Sequence, residues 1–145
     1  MNCPRHGTPL VPRTYGSLVE GHACPGCKGL WLGLETLESA AETMAGDFAE
    51  ELRRLPERVV AQIEMARNER MPVLMCPCCS GQMDRRDHRD CERVRVDVCP
   101  RCRGVWLGGG EMRALEAHFE ESSVSVEPLR QAFLAGLHAL MGADV

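Results

Sequence analysis

Apolar side chains recur at steps of three and four in the stretch before Pro56, which is the period of an amphipathic helix. The residues on this stripe are Leu34, Leu37, Ala41, Met44, Phe48, Leu52 and Leu55. Pro56 ends such a helix and suits the first turn of the next one, which continues to Ala66. The pattern therefore predicts two helices in this part of the chain, and Gly46 is a weak point in the first.

Two more helices are predicted near the C-terminus. Met112, Leu115 and Phe119 define a short helix, which ends at the serine pair Ser122 and Ser123. A longer stripe follows, formed by Val126, Leu129, Phe133, Leu137 and Leu140. We expect these apolar stripes to pack against one another or against the helices of a partner protein.

Strict alternation of valine with polar residues predicts a strand over residues 93–98. Val94, Val96 and Val98 share one face of this strand, and its arginines lie on the other. Residues 18–23 form a poorer strand, which follows a turn at residues 15–17. Each strand precedes a cysteine-rich turn, so each is expected to belong to a short hairpin.

The cysteine-rich turns form two copies of one unit. Cys3-Pro4-Arg5-His6 is followed after 17 residues by Cys24-Pro25-Gly26-Cys27, and Cys76-Pro77-Cys78-Cys79 is followed after 19 residues by Cys99-Pro100-Arg101-Cys102. The register continues beyond the cysteines, since Trp31 and Trp106 each stand four residues after the last cysteine of their unit. A repeated unit of this kind indicates duplication. We interpret the two tryptophans as structural lids over the turns rather than as binding aromatics.

The spacing within each unit is typical of a structural zinc site. A pair of donors two residues apart places both on one tight turn, and two such turns about 15–20 residues apart complete a tetrahedron. Glycines follow the second donor of each turn: Gly7, Gly29, Gly81 and Gly104. We expect them to take positive φ, so that backbone N–H groups point at the sulfur atoms. Each unit is too short to fold by burial alone, so zinc should drive its folding.

Composition fits reduced thiols in a cytoplasmic protein. The chain has 145 residues and nine cysteines, an odd number that counts against a complete set of disulfides. No apolar run approaches the length needed to span a membrane, and no membrane partner is expected. The patterns together predict a small α+β protein with two zinc ribbons, each followed by amphipathic helices that pack as a helical hairpin or bundle. The expected segments are residues 1–33 (first ribbon), 34–72 (helical), 73–110 (second ribbon) and 111–145 (helical).

The turns and their surroundings resemble a known family. Cys-Pro-x-Cys-x-Gly-x-Trp-Leu, preceded by an earlier cysteine turn and followed by an acidic helix start, is similar to the bacterial zinc ribbon related to that of transcription factor IIB. The resemblance covers residues 3–37 and 76–113. It implies a tandem zinc-ribbon protein with two structural zinc ions per chain and a connection with transcription. Gly33 and Gly108 replace the aspartate that the family tends to have after Trp-Leu.

The resemblance also implies the metal ligands. The cysteines that match the family's ligand positions are Cys3, Cys24, Cys27, Cys76, Cys79, Cys99 and Cys102. His6 stands where the family usually has cysteine, which gives a set of three cysteines and one histidine that is common in structural zinc sites. Cys78 could compete with Cys79 as a ligand, although the spacing favours Cys76 with Cys79. His88 and Cys91 form a further pair that could bind metal, but the tetrahedron does not need them.

Charge divides the chain along the same boundaries. The two ribbons, residues 1–33 and 76–110, each have a formal charge of +2. The two helical stretches, residues 34–75 and 111–145, each have a formal charge of −4. The second ribbon carries the candidate nucleic-acid contacts: Arg85, Arg86, Arg89, Arg93, Arg95, Arg101 and Arg103. Acidic residues are interleaved with these arginines, and the pI of about 5.7 lacks the basic excess of a typical nucleic-acid-binding domain.

Two functional hypotheses of different classes follow. Each site has four protein ligands on offer, whereas a catalytic zinc keeps one position open for water, so we expect no enzymatic activity. We favour a protein-interaction or adaptor module that binds a protein partner, or a second copy of itself, through the helical segments. The alternative is a transcription-associated nucleic-acid-binding protein that uses the arginine face of the second ribbon.

Overall fold

The computed structural model describes residues 1–16, 19–43, 48–66, 73–91, 94–122 and 124–142. The strands in these ranges are β1 (Val11–Tyr15), β2 (Val19–Ala23), β3 (Leu30–Leu32), β4 (Asp84–Asp87), β5 (Arg95–Val98) and β6 (Val105–Leu107). The helices are α1 (Leu34–Glu42), α2 (Ala49–Arg53), α3 (Glu57–Ala66), α4 (Gly109–Glu121) and α5 (Val126–Gly142). The predicted small α+β class is confirmed. No helix in the described ranges is long and apolar enough to cross a membrane.

The strands of both ribbons form one antiparallel sheet, in the order β1-β2-β3-β6-β5-β4. Each ribbon contributes three consecutive strands, and the two sets meet where β3 pairs with β6. Trp31 lies opposite Trp106 in that pairing, and Leu30 lies opposite Leu107. Because β3 and β6 occupy equivalent places in the two ribbons, the strand order is symmetric about this central pair. Neither β3 nor β6 was predicted from the sequence.

The two faces of the sheet bury different things, because side chains alternate along a strand. Leu32 and Val105 lie in the main core together with apolar residues of the helices, such as Leu115 and Phe133. The tryptophans point to the other face, into a smaller core. That core also contains Cys3, Cys24, Leu74, Cys76, Met83 and Cys99.

The helix predicted over residues 34–55 is wrong in its extent. α1 ends at Glu42, where the backbone N–H of Thr43 donates to the carbonyl of Ser39, and α2 starts only at Ala49. Two predicted features of this helix, Met44 and Gly46, lie outside the described residues. Ala40 is the buried alanine of α1, whereas the predicted Ala41 is only half-buried.

The positions of the other predicted helices are confirmed. α3 begins directly after Pro56, whose carbonyl accepts the N–H groups of Val59 and Val60. The buried residues of the two C-terminal helices include those predicted for them: Leu115, Phe119, Leu129, Phe133 and Leu137. α5 contacts α1, α2 and α4, and α3 contacts α4. The apolar stripes therefore pack with one another inside the chain.

Both predicted strands of the sheet exist. Val96 and Val98 of β5 are buried, as is the preceding Val94, so the predicted apolar face is confirmed. Asp97 faces the other way and is nevertheless only 4% exposed, which alternation alone does not predict. β2 confirms the weaker strand predicted over residues 18–23, while residues 17 and 18 lie outside the described ranges.

Candidate metal centres

Four potential ligand atoms converge in each ribbon. The first group consists of Cys3, His6, Cys24 and Cys27, and the second of Cys76, Cys79, Cys99 and Cys102. Within each group, all ligand atoms lie within 4.8 Å of one another. Each of the predicted metal ligands is in one of these groups, and each group draws two donors from a turn before the ribbon's first strand and two from the turn before its third.

The distances between donor atoms fit tetrahedral zinc. With Zn–S bonds of about 2.3 Å, neighbouring sulfur atoms of a tetrahedron lie about 3.8 Å apart. The Sγ atoms of Cys3 and Cys27 are 3.8 Å apart. In the second group, the Sγ distances are 3.9 Å between Cys76 and Cys102 and 3.6 Å between Cys79 and Cys99. The two groups therefore fit two structural zinc ions.

All four turns have the same backbone conformation. The first cysteine of each turn accepts a bond at its carbonyl from the N–H four residues on: from Gly7 to Cys3, Lys28 to Cys24, Ser80 to Cys76 and Arg103 to Cys99, at 2.8–2.9 Å. The N–H of the same cysteine donates to the carbonyl five residues on, at 2.7–3.0 Å. Two crossed hydrogen bonds thus close each turn before any metal is considered, so the donors are held in position by the backbone.

The expectation that the glycines after each turn take positive φ is right only for Gly7, whose φ is 74°. In the other three turns, the left-handed residue directly follows the second ligand and is not glycine: Lys28, Ser80 and Arg103, at φ 61–67°. This conformation is disfavoured for residues with a Cβ atom. The crossed hydrogen bonds and the ligand positions therefore impose the left-handed conformation against local preference.

Gly29 and Gly104 are required for a different reason. A Cβ atom on Gly29 would lie 2.2 Å from Cζ2 of Trp106, and one on Gly104 would lie 2.5 Å from Cζ2 of Trp31. The indole ring of each ribbon therefore covers the glycine of the other ribbon. The predicted structural role of the tryptophans is consistent with this packing, but each ring crosses to the partner unit instead of covering only its own turn.

Backbone N–H groups point at the sulfur atoms, as predicted. The N–H of Cys27 donates to Sγ of Cys24 at 3.4 Å, and this bond is the main cause of the lowered pKa of Cys24. The N–H of Gly81 donates to Sγ of Cys79 at 3.4 Å and lowers the pKa of that thiol to about 7. Burial raises the pKa of Cys76 to about 11. Because zinc binds thiolates, its binding must displace protons, most of all from the buried thiols.

The first site differs from the second in its imidazole ligand. His6 is exposed, and its Nδ1 lies 3.7 Å from Sγ of Cys3, close to the sulfur–nitrogen separation of about 3.6 Å in a tetrahedral zinc site. Three thiolates and a neutral imidazole around Zn²⁺ carry a net charge of −1, whereas the four thiolates of the second site carry −2. The two sites are therefore alike in geometry and different in charge.

Cys78 lies beside the second site without being part of its donor group. Cys78 is exposed, and its backbone N–H donates to Sγ of Cys76 at 3.3 Å. The competition between Cys78 and Cys79 is thus resolved in favour of Cys79, as the spacing suggested. Cys78 remains an accessible thiol next to the zinc ligands.

His88 and Cys91 are used by the core rather than by a metal. His88 is 1% exposed, and its Nδ1 accepts the N–H groups of Asp90 at 3.0 Å and Cys91 at 3.2 Å. The imidazole is therefore the Nε2–H tautomer, which donates to the carbonyl of Phe133 at 2.8 Å. The ring stacks on Phe133 at 4.4 Å, and the thiol of Cys91 donates to the carbonyl of Leu52 at 3.3 Å. Burial lowers the pKa of His88 to about 4.

Three of the seven candidate arginines of the second ribbon pair with carboxylates. Arg85 lies 3.3 Å from Asp97, and Arg95 lies 3.5 Å from Asp87. Arg89 lies 3.2 Å from the buried carboxylate of Asp90. Further interactions involve Arg86 and Arg103, while the side chain of Arg101 makes none with any described residue. Arg93, another member of the predicted arginine cluster, lies outside the described residues.

These geometries agree with the family to which the sequence is similar. The model of the transcription factor zinc-finger family matches residues 2–43 and 64–118, which together make up more than half of the chain. The two matched stretches each contain one of the four-donor groups. No curated protein and no solved structure matches the chain significantly. On the extent of the family match and the two zinc-compatible sites, the chain belongs to the transcription factor zinc-finger family.

Proposed function

We propose that this chain is a non-enzymatic, zinc-binding protein-interaction module. One zinc ion holds the turns of each ribbon against the shared sheet, and four protein donors at each ion leave no open position for a water molecule or a substrate. This arrangement favours a structural role for the metal. The rigid ribbons then present their outer surfaces to a partner.

Exposed apolar side chains around the ribbons carry the proposal. Val73 is 53% exposed and Met75 is 49% exposed, on either side of the buried Leu74. Because alternate residues of an extended segment share a face, Val73 and Met75 lie on the same side of the chain just before the second zinc site. Exposed apolar neighbours of this kind favour contact with another protein.

The first ribbon has a comparable pair. Met1 is 48% exposed and Val11 is 45% exposed. The carbonyl of Met1 accepts the N–H of Leu10 at 2.9 Å, which places Met1 beside the start of β1. The apolar stripes of the described helices pack largely in the main core, with Met65 of α3 as an exposed exception, so this proposal places the contact on the ribbons and not on the helical segments.

Nucleic-acid binding receives less support. The ion pairs of Arg85, Arg89 and Arg95 reduce the positive charge that phosphate groups would meet. Phosphate neutralisation by unpaired lysine and arginine supplies most of the affinity of such proteins. A salt-sensitive complex that weakens on Arg95→Ala would favour this alternative and displace the proposal.

Site-specific crosslinking tests the proposal. A photoreactive side chain at position 75 of the zinc-loaded chain should capture a defined protein or a second copy of the chain. The purified pair should then bind with an affinity that falls at least about tenfold when Val73 and Met75 are both changed to serine, as for loss of a buried apolar contact. The matched control is Met65→Ser, since Met65 is an 85% exposed methionine on α3. Equal loss in both variants, or no capture at any concentration, would contradict the proposal.

A further inference from the structure

A cleft lies between the edge strand β1, the turn that carries Cys27, and the start of α4. Its volume is about 430 Å³, which is within the range of small-molecule sites. Its walls carry four cationic side chains: Arg13, Lys28, Arg113 and Arg130. Apolar side chains also line it: Ala23, Leu30 and Met112. The cleft thus combines a cationic rim with an apolar surface.

One of the four cations is already used by the fold. Arg130 binds the Glu116 carboxylate through Nε at 2.7 Å and through Nη2, and Glu127 through Nη1 at 2.6 Å. The hydroxyl of Tyr15 donates to the other Glu116 oxygen at 2.7 Å, and the Arg130 guanidinium lies 5.5 Å from the Tyr15 ring centre. Because two carboxylates neutralise Arg130, its guanidinium lines the cleft without offering an unpaired positive charge.

The other three cations have no such partners among the residues that the structure describes. The charged ends of Arg13, Lys28 and Arg113 make no hydrogen bond or ion pair with any residue in the described ranges. Glu116 is the one carboxylate among the described lining residues, and its oxygens accept hydrogen bonds from Arg130 and Tyr15. Three unpaired cations therefore surround a concave, partly apolar surface in a chain whose formal net charge is −4.

The position that corresponds to Tyr15 in the second ribbon has a different environment. By the repeat, His88 occupies the place of Tyr15, and its ring is buried against Phe133 of α5. Cys91, near the same end of the sheet, is also buried, and its thiol donates to the carbonyl of Leu52. The duplicated units have therefore diverged at this position, since Tyr15 lines the cationic cleft and the His88 ring is packed in the core.

We propose that the cleft binds a small organic anion, with a phosphate or carboxylate group against Arg13, Lys28 and Arg113 and an apolar portion against Leu30 and Met112. This goes beyond the proposed interaction role, because it assigns a small ligand to a different surface. The volume suits a molecule of metabolite size. A long nucleic acid is disfavoured, because the carboxylates of Glu116 and Glu127 border the same wall.

Lys28 makes the proposal directly testable, because it is the only lysine of the chain. An aldehyde forms an imine with its amine by loss of water, and borohydride reduces the imine to a stable secondary amine. The probes are pyridoxal 5′-phosphate, 4-formylbenzoate and uncharged pyridoxal, applied to the zinc-loaded full chain. Mass spectrometry measures labelling of Lys28 relative to the α-amino group of the same chain.

An anionic probe should label Lys28 about tenfold more than pyridoxal does, relative to the α-amino group, as for one hydrogen bond to a charged group. Enhancement by the phosphate probe alone or by the carboxylate probe alone would identify the preferred anion. Arg113→Gln and Arg13→Gln should each remove most of the enhancement. Arg54→Gln, an exposed arginine on α2's C-terminal side, should not. All variants are compared only when they hold two zinc ions per chain.

Two results would overturn the assignment. One is equal labelling by charged and uncharged probes at both amines. The other is an enhancement that both cleft variants leave unchanged, since it would place the anion elsewhere. The crosslinking experiment at position 75 does not depend on either result, because Val73 and Met75 do not line this cleft.

Discussion

Trp31 and Trp106 lie directly opposite each other on the central strand pair, and each indole ring covers a glycine that belongs to the other ribbon. The glycines are Gly104 under Trp31 and Gly29 under Trp106. The two copies of the duplicated unit are therefore joined by strand pairing and by reciprocal packing of the rings. A single ribbon would leave one strand edge unpaired and one indole ring uncovered, so the pair forms the folding unit.

Filling the space under either indole ring should destabilise the protein. Gly29→Ala puts a methyl group where the Trp106 ring now lies, and Gly104→Ala does the same under Trp31. Overpacking of a tight core costs about 1–3 kcal/mol, so we expect a loss of that size in the free energy of unfolding. Denaturant titration with excess zinc measures it.

Gly26→Ala is the matched control for these variants. A Cβ atom at Gly26 would meet nothing closer than the Cys24 sulfur at 3.6 Å. Arg101 occupies the equivalent place in the second ribbon, so a side chain is tolerated in this turn. Gly26→Ala should change the free energy of unfolding by less than about 0.5 kcal/mol. Equal destabilisation by Gly26→Ala and Gly29→Ala would show that the tryptophan contact is not the cause.

Zinc content should distinguish the true ligands from the spare thiol. The wild-type chain should bind two zinc ions, and Cys79→Ser should bind one, because the second site loses a donor. Cys78→Ser should keep both, since the Cys78 sulfur is outside the donor group. Elemental analysis of the purified proteins measures the ratio. Loss of zinc from Cys78→Ser with retention in Cys79→Ser would reverse the assignment of the ligand.

The histidine ligand has its own test. His6→Ala should reduce the content to one zinc ion per chain or weaken the first site strongly, while His6→Cys should retain two ions and restore the ligand that the family usually has. The added thiolate changes the charge of the first site from −1 to −2. If His6→Ala holds two ions as tightly as the wild type, the exposed imidazole is not a ligand.

His88 should remain neutral at a pH at which an unfolded histidine is protonated. Its pKa is lowered to about 4 by burial, although the Phe133 carbonyl and Asp90 favour the charged form. The unfolded value is about 6.5, so His88 supports folding fully above that pH and its contribution falls as the pH drops toward 4. The loss amounts to about 3 kcal/mol at 1.36 kcal/mol per pH unit.

Nitrogen NMR of the zinc-loaded protein at pH 5.5 checks this prediction. The spectrum should show the neutral Nε2–H tautomer of His88, with the proton held by the bond to Phe133. A titration midpoint near pH 6.5 for the His88 ring in the folded protein would contradict the account. It would mean that the ring is not buried with Nδ1 accepting two backbone N–H groups.

Arg130 and Arg113 should respond differently to the same substitution, although both line the cleft. Arg130→Gln leaves Glu116 and Glu127 without their shared cation, and hydrogen bonds to charged groups contribute about 1.5–3 kcal/mol. We expect a loss toward the lower end, since the side chains are partly exposed. Arg113→Gln should change the free energy of unfolding by less than about 0.5 kcal/mol. Thermal unfolding distinguishes the two, and similar losses would mean that Arg113 also has a structural role.

Sequence alone predicted the donors of both metal sites, because a turn of four residues fixes the separation of two donors without help from the rest of the fold. It also predicted α4, α5 and the valine face of β5, where the periodicity is clear. These features depend on local spacing. The identity of Cys79 as a ligand in preference to Cys78 follows from the same argument.

The joining of the ribbons was missed, because it depends on contacts between distant segments. The segments that form β3 and β6 have three residues each, which is too short for an alternation of apolar and polar residues to be recognised. The available signal was their composition, since both consist of apolar and aromatic residues that favour strands: Leu30-Trp31-Leu32 and Val105-Trp106-Leu107. The role of Gly29 was misassigned for the same reason, since a ring from the other ribbon and not its own φ excludes a side chain. The cleft cations Arg13, Lys28 and Arg113 lie far apart in sequence, and only the fold brings them together.

The central claim is that each indole ring packs on the glycine of the other ribbon, so that the two zinc ribbons form one folded unit. Nuclear Overhauser effects in the zinc-loaded protein test it most directly. The account predicts strong cross-peaks from the Trp106 ring protons to the Hα protons of Gly29, and from the Trp31 ring to Gly104. Cross-peaks from each ring only to residues of its own ribbon would contradict the claim.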